Sequence, residues 1–164
     1  MENILITGAT GFLGSVLLYF ILKETKHTSY VLVRMKKDIS VSERLKILYE
    51  KELFKEFDEQ EFYSRVIAVS GDTSQELLGI GTEDLEMLSS KLNVIIHCAA
   101  TVSFNEELSI ETKYNVYPVT QIHRLIKKCN YFRRWIHVST AYVNKSSHDP
   151  IDQQLNVQFY LIYF

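Results

Sequence analysis

The chain has 164 residues, 46% hydrophobic and 23% charged, the make-up of one globular domain with a buried core. Eighteen basic against twenty acidic residues leave a net charge of −2, which excludes an electrostatic nucleic-acid surface; no nucleic-acid partner is expected. Two isolated cysteines, Cys98 and Cys129, exclude a disulfide framework and a zinc site, and the apolar run Val16 to Leu22 is too short for a bilayer, which needs about 20 residues.

Asn3-Ile4-Leu5-Ile6-Thr7 reads as a first strand. It leads into a glycine turn, not a cleavage site, so no secretory leader is expected. Leu13, Val16, Leu17, Phe20 and Ile21 then recur at helical spacing up to about Lys26. Tyr30 to Arg34 is continuous and β-branched, as a strand buried on both faces should be. Ser40 with Glu43 forms a capping box for a helix whose apolar face is Val41, Leu45, Leu48 and Tyr49. The acidic stretch Leu53 to Tyr63 is expected on the surface, as a helix or a loop.

Val66 to Val69 makes a third strand, closed by Ser70-Gly71-Asp72, and Thr82 is expected to cap a helix carrying Leu85 and Leu88. Val94 to Ile96 is the core of a fourth strand. A long helical region from about Leu108 to Cys129 carries Val116, Val119, Ile122, Leu125 and Ile126 as its stripe. Pro118 lacks a donor and interrupts it, so the helix either starts near Val116 or kinks there. Trp135 to Val138 is the fifth strand, ending at Ser139-Thr140. The alternation predicts an α/β fold, a doubly wound parallel Rossmann sheet, over residues 1–150, incomplete on its C-terminal side and followed by an atypical apolar tail, 151–164. Its open edge beside the fifth strand predicts poor solubility for the chain by itself.

Gly8-x-x-Gly11-x-x-Gly14 lies between a strand and a helix, the context that marks a dinucleotide turn. Gly8 allows the tight turn, Gly11 lets a pyrophosphate approach, and Gly14 packs helix on strand. The intervening Thr10, Phe12 and Leu13 bring backbone N–H groups to the helix N-terminus. Twenty residues after Gly14, Arg34 stands where a NAD site carries an acid, with Lys36 and Lys37 behind it. A guanidinium suits a 2′-phosphate, so NADPH is the expected cofactor; a solvated basic loop is the plain alternative. Asp72 is placed to accept from the adenine amine, although Gly-Asp also closes ordinary turns. Small residues at Ala99 and Ala100 let a cofactor ribose lie against the backbone. Ser139 and Thr140 face where a nicotinamide would lie and could polarise a carbonyl, or simply satisfy strand-end backbone. His97 and His137 read as satisfied core histidines.

Thr7 to Gly14 followed by Tyr30 to Arg34 resembles the start of an extended short-chain dehydrogenase/reductase. Three further segments, Ser42-Glu43-Arg44-Leu45, Ile96 to Phe104 and His137 to Asn144, resemble the fatty acyl-CoA reductases, the male-sterility family, with the likeness covering about residues 2 to 145. The resemblance implies NADPH-dependent reduction of a long-chain acyl-CoA through an aldehyde to a fatty alcohol. It implies Thr140 as the carbonyl-polarising hydroxyl, Ser139 beside it, and Asn115 as a residue ordering the site. It also implies an intracellular, peroxisomal or endoplasmic-reticulum enzyme, attached to membranes through parts absent from this chain. Departures are Pro118 and Val119 in place of a glycine and a threonine, and Ser103 and Asn105 in place of an arginine and an aspartate. The family's tyrosine and lysine, four apart, should follow Asn144, yet the last lysine is Lys145. The chain is therefore expected to be truncated before that pair and inactive alone. A non-catalytic NADP(H)-binding module and another extended reductase or epimerase are the alternative readings.

Overall fold

The computed structural model describes residues 1–36, 39–103 and 106–139. Within them the five apolar runs form five parallel strands: β1 (Asn3–Thr7), β2 (Thr28–Val33), β3 (Val66–Ser70), β4 (Val94–His97) and β5 (Arg134–His137). Their spatial order is β3-β2-β1-β4-β5. The sideways progression of successive strands reverses between β1 and β4, which run parallel, and the carboxyl ends of that pair form the crevice where open α/β sheets take ligands. Register places Thr7 opposite His97 at that point.

Strand periodicity divides the core into two layers. Ile4 and Ile6 of β1 face one side, with Leu18 and Leu22 of α1 (Phe12–Glu24) and Leu45 and Leu48 of α2 (Val41–Tyr49). Leu5 faces the other side, with Leu88 of α4 (Thr82–Lys91) and Ile122, Leu125 and Ile126 of α6 (Tyr117–Ile126). Helices on both faces complete a doubly wound sheet, and the Ser40–Glu43 capping box at the start of α2 is formed as expected.

Several local expectations are corrected. α1 does not bury the stripe Leu13, Val16, Leu17, Phe20, Ile21; its buried face is Gly14, Ser15, Leu18 and Leu22. That helix is apolar nearly all round, so periodicity could not choose a face. The small residues win because they allow the closest approach to the turn. The acidic stretch after α2 is not a surface appendage. It folds into a 3-10 turn, Glu52–Phe54, and the helix α3 (Glu59–Arg65), and drives Phe54 and Phe62 into the core with no exposed surface. Arg65 goes in with them, donating to the carbonyls of Leu22 (2.8 Å) and Thr25 (2.7 Å) and so closing the C-terminus of α1.

Thr82 is the first residue of α4, and Gly81 is its N-cap. The long helical region is a short α5 (Leu108–Glu111), a π-helical turn Thr112–Val116 and then α6, with Pro118 in the first turn of α6. A proline there forfeits no helical hydrogen bond, which is why α6 starts beside Val116 and leaves that residue exposed. His137 is exposed, on the outer strand of the described sheet, where Ile136 and Val138 are also partly bare. Among the described residues no helix is long and apolar enough to cross a membrane. The boundary at residue 150 and the tail 151–164 lie outside the described residues.

Candidate functional site: a cleft at the β1–β4 switch point

The glycine turn begins where β1 ends. Gly8 has φ +76, in the left-handed region, and a Cβ on it would stand 2.7 Å from the Ala99 nitrogen of the neighbouring loop. Gly8 O accepts from Gly11 N at 2.9 Å, and Gly11 becomes the N-cap of α1. Gly14, one turn in, lies directly behind Gly8: a Cβ there would fall 2.3 Å from Gly8 O. α1 has no side-chain cap and no acidic residue in its first turn, so its first N–H groups are available to an anion.

A cleft of about 490 Å³ opens in front of this turn. Of the residues expected to touch a dinucleotide, it gathers Gly8, Thr10, Gly11, Arg34, Asp72, Ala99 and Ala100. Gly14 sits behind the turn. Phe12 and Leu13, 87% and 43% exposed, do not line the cleft, and only their backbone N–H groups at the start of α1 could serve a ligand. Arg34 follows β2, and its Nη1 lies 3.8 Å from Asp72 Oδ2, while Asp72 Oδ1 accepts from Ser74 N at 2.9 Å. The guanidinium also lies over the ring of Tyr114 at 6.0 Å. Asp72 is presented by a strained connection in which Leu77 and Leu78 take φ 46 and 62. Asp72 N donates to Leu78 O, and Gln121 Oε1 accepts from Leu77 N.

Sequence reasoning missed two cations. Arg44 Nη2 donates to Thr10 Oγ1 at 3.2 Å, and its Nη1 donates to the Arg34 carbonyl. Lys51 Nζ donates to the Thr10 carbonyl at 2.9 Å. Arg44 was visible only as part of a family-like segment, and Lys51 gave no signal, because a contact spanning 41 residues has no local signature.

Two positioning devices hold the far wall. Asn115, in the π-helical turn, accepts from Thr101 N at 2.9 Å and donates to Thr101 O at 3.2 Å, so its amide is spent on one backbone position. Thr7 Oγ1 accepts from Ala99 N at 3.3 Å and shares a hydrogen with His97 Nδ1 at 2.6 Å. His97 is buried and stacks on His137, ring centroids 5.2 Å apart. Burial first, and His137 second, lower its pKa from 6.5 to about 4. Among the described residues it is satisfied at one nitrogen only, Nε2 having no hydrogen-bond partner there. Burial likewise pushes the Cys98 thiol up, away from thiolate chemistry.

Ser139 lies exposed just past β5, and Thr140 is outside the described residues. Among the described residues the single tyrosine followed four residues later by a lysine is Tyr19, with Lys23, bonded at 2.7 Å on α1, away from the cleft.

A parallel sheet of this order with a glycine turn at its switch point defines a Rossmann-type dinucleotide-binding domain. The comparisons narrow the class. The NAD-binding family described as male sterility protein matches residues 6–158. Fatty acyl-CoA reductase 1 of Mus musculus is 39% identical over 145 residues, and that of Xenopus laevis is 41% identical over 147. These cover 86% and 87% of this chain but 28% of each relative. In structure the chain is similar to the terminal R domain of the myxalamid PKS-NRPS pathway, with TM-score 0.71 and 32% identity, over 85% of this chain and 35% of that one. The chain belongs to the NAD-binding family described as male sterility protein, and the curated relatives it resembles are named fatty acyl-CoA reductases.

Proposed function

We propose that this chain is the NADPH-binding part of a reductase that takes long-chain fatty acyl-CoA through an aldehyde to the alcohol. The observation that carries the cofactor choice is Arg34 at the end of β2, facing the cleft. A ribose 2′-hydroxyl needs an acceptor there and a 2′-phosphate needs a cation; Arg34 supplies the second. The glycine turn supports the dinucleotide itself, since Cβ atoms at Gly8 and Gly14 would collide with the backbone of Ala99 and of Gly8 and spoil the tight turn in front of α1. The nearby Asp72 pairs with Arg34 and would be displaced or shared when the phosphate arrives.

Bound in this cleft, the cofactor would supply hydride for the acyl carbonyl. The chain's own part is to bind it, through Gly8 to Leu13, Arg34, Asp72, Ala99 and Ala100, and to hold the facing loop by Asn115. Thr140, with Ser139 beside it, is the hydroxyl proposed to polarise the carbonyl. The long-chain substrate and alcohol product rest on the family and on the names of relatives of which this chain spans 28%. Membrane attachment at peroxisomes or endoplasmic reticulum belongs to the same reading and would be carried by other parts of such a protein.

The test is fluorescence titration with NADPH and NADH. Arg34→Leu should weaken NADPH by about tenfold or more, as for one charge-assisted hydrogen-bonded contact, and leave NADH nearly unchanged. Equal binding of both by the unmodified chain, or equal loss of both in the variant, refutes the NADPH assignment. Conversion of palmitoyl-CoA to hexadecanol by the longer protein containing this segment tests the substrate.

A further inference from the structure

The peptide joining Thr10 to Gly11 is held at both ends. Its N–H closes the turn onto Gly8 O at 2.9 Å, and its carbonyl accepts from Lys51 Nζ at 2.9 Å. Lys51 follows directly on α2 and opens the 3-10 turn Glu52–Phe54, whose Phe54 is locked in the core, so the lysine backbone is anchored. None of the ion pairs among the described residues involves Lys51 or Arg44, the other cation on Thr10. Desolvation is the one cause moving the Lys51 amine, which it lowers, as expected for an ammonium partly removed from water without an anion. The ammonium and the uncapped start of α1 therefore add their positive charge at the same turn, where the dinucleotide pyrophosphate belongs.

From this geometry we infer that Lys51 is a positioning residue for the pyrophosphate: through the Thr10 carbonyl it fixes the plane of the glycine turn and leaves one uncompensated positive charge behind it. The inference rests on the dinucleotide reading above, but it concerns a different part of the cofactor from Arg34. Arg34 distinguishes NADPH from NADH; Lys51 serves both alike, because the pyrophosphate is common to them.

The test uses the full chain with NADPH, NADH and 2′-AMP, which carries the adenine and 2′-phosphate but no pyrophosphate. Lys51→Met should weaken NADPH and NADH by the same factor, about three- to tenfold for a charged hydrogen bond partly open to solvent, and leave 2′-AMP unaffected. Lys51→Arg should restore most of the loss. Unaltered NADPH binding by Lys51→Met overturns the inference. So does a parallel loss of 2′-AMP, which would mean general loosening, and so does failure of the arginine to restore binding. If the unmodified chain binds 2′-AMP but neither dinucleotide, the inference and the reading beneath it fall together; if it binds both and Lys51→Met is silent, only the inference falls.

Discussion

Gly14→Ala sets two effects of opposite sign against each other. Gly14 lies inside α1 with helical backbone, so alanine should help by about 1 kcal/mol on helix propensity alone. Its new Cβ, however, would fall 2.3 Å from Gly8 O, 2.7 Å from Gly8 C and 2.9 Å from Ala9 Cα, all backbone atoms that no rotamer change can clear. Carbon and oxygen in contact need more than 3 Å, so α1 and the turn must separate by about 1 Å, an overpacking cost of about 1–3 kcal/mol. The clash wins, and it acts where the pyrophosphate would meet the N–H groups of α1. Losing two charge-assisted hydrogen bonds at about 1.5 kcal/mol each corresponds to about 100-fold in affinity. The assay is NADPH titration by fluorescence beside urea unfolding, in which the midpoint should fall by about 1 M or less. Gly81→Ala is the control, since a Cβ there meets nothing within 4 Å. A Gly14→Ala chain that melts later than the unmodified one and binds NADPH equally well would refute the close-approach argument.

Three further outcomes are expected. His97 should make stability pH-dependent: its folded-state pKa, about 4, lies below the ordinary 6.5, so the unfolded chain takes up the proton first. The contribution is present above about pH 6.5 and is lost as pH falls towards 4, by about 3 kcal/mol at most, and His97→Gln should flatten that slope in urea melts at stepped pH. Phe62→Ala removes a fully buried ring stacked edge-on against Phe54 at 5.4 Å and should cost about 3–5 kcal/mol by the same melts. A value near zero would return Leu53 to Tyr63 to the surface. Asn115→Leu strips both hydrogen bonds from Thr101 and should cost about 1–3 kcal/mol, with faster exchange of the Thr101 amide by NMR; unchanged exchange would show that the asparagine does not hold that loop.

Local chemistry carried much of this protein openly. Gly8, Gly11 and Gly14 could be read because each answers a constraint of the turn itself, and Ser40 with Glu43 because a capping box is complete within four residues. Arg34 was readable by its distance from the turn along a single βαβ unit. What escaped depended on partners far along the chain. Phe54 and Phe62 looked like part of a charged surface stretch because their acidic neighbours dominate the composition, while both rings are fully buried and Leu53, Phe57 and Tyr63 pack beside them. Lys51 looked like any solvated lysine until the fold brought it to Thr10.

The sequence by itself determined the strand and helix alternation, the place of the glycine turn and the cation at the end of β2. These follow from hydrophobic period, from glycine's lack of a Cβ and from short-range spacing. Tertiary structure alone decided the strand order β3-β2-β1-β4-β5, the face that α1 buries, and the convergence of Arg44 and Lys51 on Thr10. The reason is physical: α1 is apolar nearly all round and a lysine's hydrogen bond has no sequence period. Only packing against β1 could choose the helix face, and only the docking of α2 beside the turn could give those cations their acceptor.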